Sequence, residues 1–107
     1  MQTGLPEFRM DACVDGRIAR IAVFGEVDAA TAPELAECLR ELTGAGSDEV
    51  VVDLTGLDFI DSAGLSVLVG AQMQMRDAGT QLVIASPPPP TRRIFDTSGL
   101  AGVLAIR

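Results

Sequence analysis

The sequence predicts an α/β domain built on a mixed sheet, and three observations carry that expectation. A hydrophobic hairpin opens the chain, helix-period and strand-period segments alternate after it, and Val50-Val51-Val52 is apolar without alternation, as in a strand covered on both faces. With 107 residues, 48% of them apolar, residues 1–107 read as one domain with one core.

The hairpin is signalled by Asp15-Gly16 between Phe8–Val14 and Arg17–Phe24, since a type I′ turn needs positive φ at both central positions. Pairing Val14 with Arg17 puts Phe8, Met10, Ala12, Val14, Ala19, Ile21 and Val23 on a core face, and sets Asp11 opposite Arg20 and Cys13 opposite Ile18. Next, Thr31-Ala32-Pro33-Glu34 reads as a capping box: Thr31 accepts from the backbone and Glu34 reaches back to it. Leu35, Cys38, Leu39 and Leu42 then form the apolar stripe of a first helix. Gly44-Ala45-Gly46 follows a helix instead of a strand, so it reads as a helix stop and not as a phosphate loop.

Val50–Leu54 is the central strand. A loop follows, carrying Gly56, Asp58 and Asp61, and Ser62 stands where helix N-caps stand. The second helix is expected from Ala63 to about Ala78, with Val67, Leu68, Ala71 and Met75 as its core face. Leu65, Val69 and Met73 make an adjoining row, either partly exposed or the margin of a wide buried face. Gln81–Ala85 is a further strand, Ser86 and four prolines a rigid connection, Thr91–Thr97 a short helix ended by Gly99, and Val103–Ile106 a last strand.

Composition excludes much chemistry. The chain has no His, Lys, Asn, Trp or Tyr, so no side chain titrates near neutrality unperturbed and no lysine can form a Schiff base. A net charge of −7 argues against nucleic acid or an anionic membrane as partner. Cys13 and Cys38 lack metal-site spacing and read as two reduced thiols. The first residues carry no signal-peptide pattern and no apolar run spans a bilayer, which places the chain in the cytoplasm. No catalytic residue, metal or cofactor is expected.

Three readings compete for Asp53 to Ser62. Ser62 can be an ordinary helix cap with acidic neighbours that suit the dipole. Asp53 can be the phosphoacceptor of a receiver-like domain, although the lysine and the acidic pair such a site needs are absent. Ser62 can instead be a regulated phosphoacceptor, its phosphate held by the N–H groups of a helix N-terminus.

The run Asp53-Leu54-Thr55-Gly56-Leu57-Asp58-Phe59-Ile60-Asp61-Ser62-Ala63-Gly64-Leu65, with Gly25-Glu26-Val27-Asp28 before it and Arg93-Ile94-Phe95 to Ser98-Gly99-Leu100 after it, resembles the STAS domain of bacterial anti-sigma factor antagonists. The resemblance implies an N-terminal hairpin joined to a mixed sheet, with helices mainly on one face. It also implies a partner switch. An anti-sigma factor that is a serine kinase of the histidine-kinase-like ATPase fold binds the unmodified antagonist and phosphorylates the position of Ser62; phosphorylation breaks the complex, and a metal-dependent serine phosphatase resets it. Asp28 and Asp61 would shape kinase docking or serve only as loop and cap structure, Gly64 would allow close approach, and Leu65 would join the contact. Ala63 stands where many relatives have Ser or Thr, and the sequence stops at Arg107, where family members usually continue into a C-terminal helix; either it is trimmed there or that helix is absent. The alternative is a STAS scaffold or nucleotide-binding module with a different partner and Ser62 as a cap.

Overall fold

The computed structural model describes residues 7–107. Its elements are β1 (Arg9–Asp15), β2 (Ile18–Val27), α1 (Ala32–Gly44), β3 (Glu49–Asp53), β4 (Leu57–Ile60), α2 (Ser62–Asp77), β5 (Gln81–Ala85), α3 (Pro89–Ser98), a 3-10 turn (Leu100–Gly102) and β6 (Ala105–Ile106). The sheet order is β1-β2-β3-β5-β6, with β4 paired to β2 off that path. Only β1 and β2 are antiparallel; the other pairs are parallel, and helices carry the crossovers that parallel pairing requires.

Val50, Val52, Ile21, Val23, Leu82 and Ile84 turn one face of the sheet toward Leu35 and Leu39 of α1, Leu68 and Met75 of α2, and Phe95 of α3. On the other face Val51, Val83 and Ala85 form a second small cluster, which explains the unbroken apolar run of β3. The Arg107 guanidinium reaches Glu49 at 3.4 Å, and to do so its side chain must cross β5.

The hairpin closes one residue later than the sequence reading places it, which shifts the cross-strand register by two. Asp15 pairs with Ile18, so Gly16 and Arg17 form the turn and Cys13 faces Arg20 instead of Ile18. Gly16 alone of the two has positive φ (63°), the pattern of a turn with glycine at its first central position. Arg17 is claimed by the next layer of structure. Its carbonyl accepts from the Asp48 N–H at 2.7 Å, and its guanidinium bonds the Asp48 carboxylate at 2.7 Å. A shift of two preserves the faces, but β1 is an edge strand: Phe8 and Met10 are half-buried, whereas Ala12 and Val14 are exposed, contrary to the expected core face.

Two further expectations are corrected. The capping box at Thr31 does not form. Thr31 makes no side-chain cap bond, because its hydroxyl is turned back to the Glu26 carbonyl at 2.9 Å and it takes the Asp28 N–H at 3.0 Å. Cys38 is half-buried beside Glu41; burial first, then that carboxylate, push its thiol pKa up, so it stays protonated at neutrality.

Asp53 ends β3 with its carboxylate bound to the hydroxyl (2.6 Å) and N–H (2.9 Å) of Thr55. The hydroxyl bond most, then the N–H bond, hold its pKa below the ordinary carboxylate value. A lowered folded pKa stabilises above the unfolded value and stops doing so as pH falls through the folded one. Asp53→Asn is therefore expected to lose stability less steeply than the parent below about pH 4, as read by thermal melts between about pH 5 and about pH 2.

Candidate functional site

The site sits where two parallel strands end side by side. After Ala22, β2 leaves β3 and its last residues pair with β4, Val27 opposite Ile60. Asp28 and Asp61 thus emerge as neighbours, and the Asp61 N–H donates to the Val27 carbonyl at 3.0 Å. The segment read as loop from the sequence is therefore strand from Leu57 to Ile60. Its pairing is irregular, since Gly25 meets Leu57 but Glu26 meets Phe59, leaving Asp58 without a partner on β2. Gly25 (φ 86°) has no room for a side chain against the Glu7 carbonyl, and Gly56 has none against the Phe24 ring.

Asp28 organises the turn into α1. Its Oδ1 accepts from the N–H groups of Ala30 (3.0 Å) and Thr31 (3.1 Å), so its carboxylate is committed to its own loop. Asp61 does the same for α2. It is the N-cap, with extended backbone (φ −105°, ψ −171°), and its Oδ1 accepts from the N–H groups of Ala63 (2.9 Å) and Gly64 (3.2 Å).

Ser62 is consequently not the cap but the first helical residue. The shift of one has a cause: an aspartate caps as well as a serine, and the bond from the Asp61 N–H to Val27 fixes that residue at the end of β4. The Ser62 side chain is exposed and makes no hydrogen bond among the described residues. Asp61→Ala is expected to cost about 1 kcal/mol through loss of the cap, measured by urea unfolding, whereas Ser62→Ala is expected to be near neutral.

Gly64 is buried, and the close approach it permits is internal. A Cβ there would lie 2.6 Å from Ile60 Cγ1 and 2.7 Å from Val27 Cγ1, so its lack of a side chain seats α2 on the two strands that carry the aspartates. Leu65 is half-buried and opens onto the surface.

From Ser62 an apolar groove of about 460 Å³ runs along α2, lined by Leu65, Ser66, Val69, Gly70, Met73 and, from the 3-10 turn, Leu100. The second apolar row of α2 is thus a surface feature: Met73 is 55% exposed, and Leu65 and Val69 are half-buried. Leu68, Ala71 and Met75 are buried as expected, while Val67 is half-buried between α1 and α2. Ser66, Gly70 and Leu100 escaped the sequence reading. The first two follow Ser62 at steps of four on one helix face and were within reach of that pattern. Leu100, quoted above only as part of the family motif, arrives at the groove by tertiary packing. Asp53 and Asp58 stand apart from the groove lining.

The domain as a whole has known relatives. The STAS domain family model matches residues 9–107. The chain belongs to the STAS domain family. Among curated relatives of this STAS domain, the anti-sigma-B factor antagonist of Listeria monocytogenes is 34% identical over 87 residues, covering 81% of this chain and 76% of that one. Two solved structures share the fold. An anti-sigma factor antagonist from Mycobacterium paratuberculosis aligns with TM-score 0.84 at 22% identity, covering 94% of this chain and 85% of its own. The phosphorylated form of the Bacillus cell fate determinant SpoIIAA aligns with TM-score 0.72 at 20% identity, covering 94% and 91%. No helix among the described residues of this STAS domain is long and apolar enough to cross a membrane.

Proposed function

We propose that this STAS domain is an anti-sigma factor antagonist that works as a phospho-switch through Ser62. The relatives' names support the class, and SpoIIAA, solved in phosphorylated form, is a fold relative that carries phosphate. The observation that carries the reading is the free, exposed Ser62 hydroxyl at the head of α2, at one end of an apolar groove.

In its unmodified state the domain docks an anti-sigma factor over the groove, with Leu65, Val69 and Met73 supplying apolar contact. Asp28 and Asp61 shape the rim through the turns they hold. Phosphorylation adds about −1.5 to −2 charges at Ser62. The N–H groups of Ala63 and Gly64, which would otherwise receive an anion at a helix start, are already bound to Asp61, and no arginine lines the groove. The new charge therefore stays at the interface beside a carboxylate. A desolvation and repulsion cost of about 3 kcal/mol weakens binding more than about a hundredfold, without any refolding of the domain. The kinase is the anti-sigma factor itself, of the histidine-kinase-like ATPase fold, and a metal-dependent serine phosphatase restores the binding state. The domain acts by binding, in the cytoplasm, where sigma factors work.

The scaffold alternative, with Ser62 as a structural cap, is disfavoured because Asp61 holds that position. The test is a lysate pull-down with wild type, Ser62→Ala and Ser62→Asp, with mass spectrometry of the bound proteins and of Ser62. Retention of an ATPase of that fold by wild type and Ser62→Ala, its loss with Ser62→Asp, and phosphate on Ser62 are expected. Identical partners for all three proteins and an unmodified Ser62 would end the switch reading.

A further inference from the structure

We propose that the outer edge of β1 pairs with the β1 of a second copy of this chain, antiparallel about a twofold axis at Ala12. β1 is the first strand in the sheet order, and among the described residues its outer edge meets no other strand. Arg9–Asp15 contains no proline, no lysine and no bulge against β2, so its charges, Arg9, Asp11 and Asp15, decide which pairings the edge admits.

The hairpin register says which backbone groups are free. In a two-residue hairpin the closing pair, here Asp15 and Ile18, exchanges both backbone hydrogen bonds, and such pairs alternate along the ladder with non-bonded ones. Arg9, Asp11, Cys13 and Asp15 therefore point their N–H and C=O groups toward β2, and Met10, Ala12 and Val14 point theirs outward. Two copies can join those outward groups in three nearby twofold registers. An axis at Asp11 sets Asp11 against its own copy, and an axis at Cys13 sets Asp11 against Asp15 twice; like charges directly opposite are destabilising. An axis at Ala12 instead pairs Arg9 with Asp15 on both sides of the axis, Met10 with Val14, and Ala12 with itself.

The side chains favour the same register. Val14 is 55% exposed and Met10 half-buried, both on the helix face of the sheet, so their pairing covers apolar surface that the monomer leaves wet. On the opposite face the Arg9 guanidinium lies 4.1 Å from the centre of the Phe24 ring and 3.6 Å from the Asp11 carboxylate of its own strand, and it stays exposed enough to take a second carboxylate. Asp15 makes no ion pair among the described residues. The edge shares no residue with the groove beside Ser62, so both surfaces can be occupied together.

The test is sedimentation equilibrium over a wide concentration range at about 0.15 M salt, where the α1 glutamates are screened beyond about 8 Å. Wild type is expected to dimerise reversibly. Arg9→Asp and Asp15→Arg are each expected to weaken the dimer about tenfold, because symmetry removes two favourable pairs at once, while the double swap restores it to within about threefold. Ala12→Pro, which removes an outward N–H and no bond to β2, is expected to leave a folded monomer by circular dichroism. A chain that stays monomeric at about millimolar concentration, a dimer indifferent to these changes, or a double swap that fails to restore pairing would each overturn the proposal.

Discussion

Gly64→Val is expected to destabilise the domain by about 3 kcal/mol and to lower its melting temperature by roughly 15 °C, since overpacked positions commonly cost about 1–3 kcal/mol and β-branching adds to the strain. The cause is local. The added Cβ would lie 2.6 Å from Ile60 Cγ1 and 2.7 Å from Val27 Cγ1, so α2 must lift from the strands that carry Asp28 and Asp61. Glycine-to-alanine changes in the same helix separate this cause from helix propensity. At Gly70 nothing lies within 4 Å of a built Cβ, and alanine there is expected to stabilise by up to about 1 kcal/mol. At Gly64 alanine is expected to destabilise. Equal effects at the two positions, read by thermal melts, would refute the packing argument.

Met73→Glu is expected to weaken binding of the anti-sigma factor about thirtyfold, roughly 2 kcal/mol, while leaving the melting temperature within about 2 °C of the parent. Met73 is 55% exposed on the groove wall, so the folded chain loses little when a carboxylate replaces its thioether. A partner seated over the groove must desolvate that carboxylate. Titration calorimetry with the purified partner reads the effect; unchanged affinity would move the interface off α2.

Much of this arrangement is legible in the sequence because it rests on local rules. The i, i+4, i+7 stripe of Leu35, Leu39 and Leu42 and the uninterrupted Val50-Val51-Val52 run name their own partners, a sheet below and a covered strand within. Asp28, Asp61 and Ser62 are recognisable as a group through the motif that carries them, and the pairing of Val27 with Ile60 explains why residues so far apart in the chain share one surface. The sequence reading failed where two local signals competed and tertiary contacts decided. Asp61 and Ser62 are both good caps, and the Val27 carbonyl selected the aspartate. Gly16 could occupy either central position of a hairpin turn, and the tie between Arg17 and Asp48 selected the first. β4 was missed because four residues, only two of them buried, carry too little periodicity to separate a strand from a loop.

The change of partner between Ala22 and Gly25 divides β2 into two parts with different duties. Its first half belongs to the ladder that holds Val50 to Asp53, while its last residues share with β4 a ladder of only three residue pairs. Asp28 and Asp61 are mounted on that short ladder. A load applied to them by a bound protein falls first on those few bonds, with Asp58 as slack in the line. Mechanically, the surface that carries Asp28 and Asp61 is a bracket hung from the sheet and not a part of its frame.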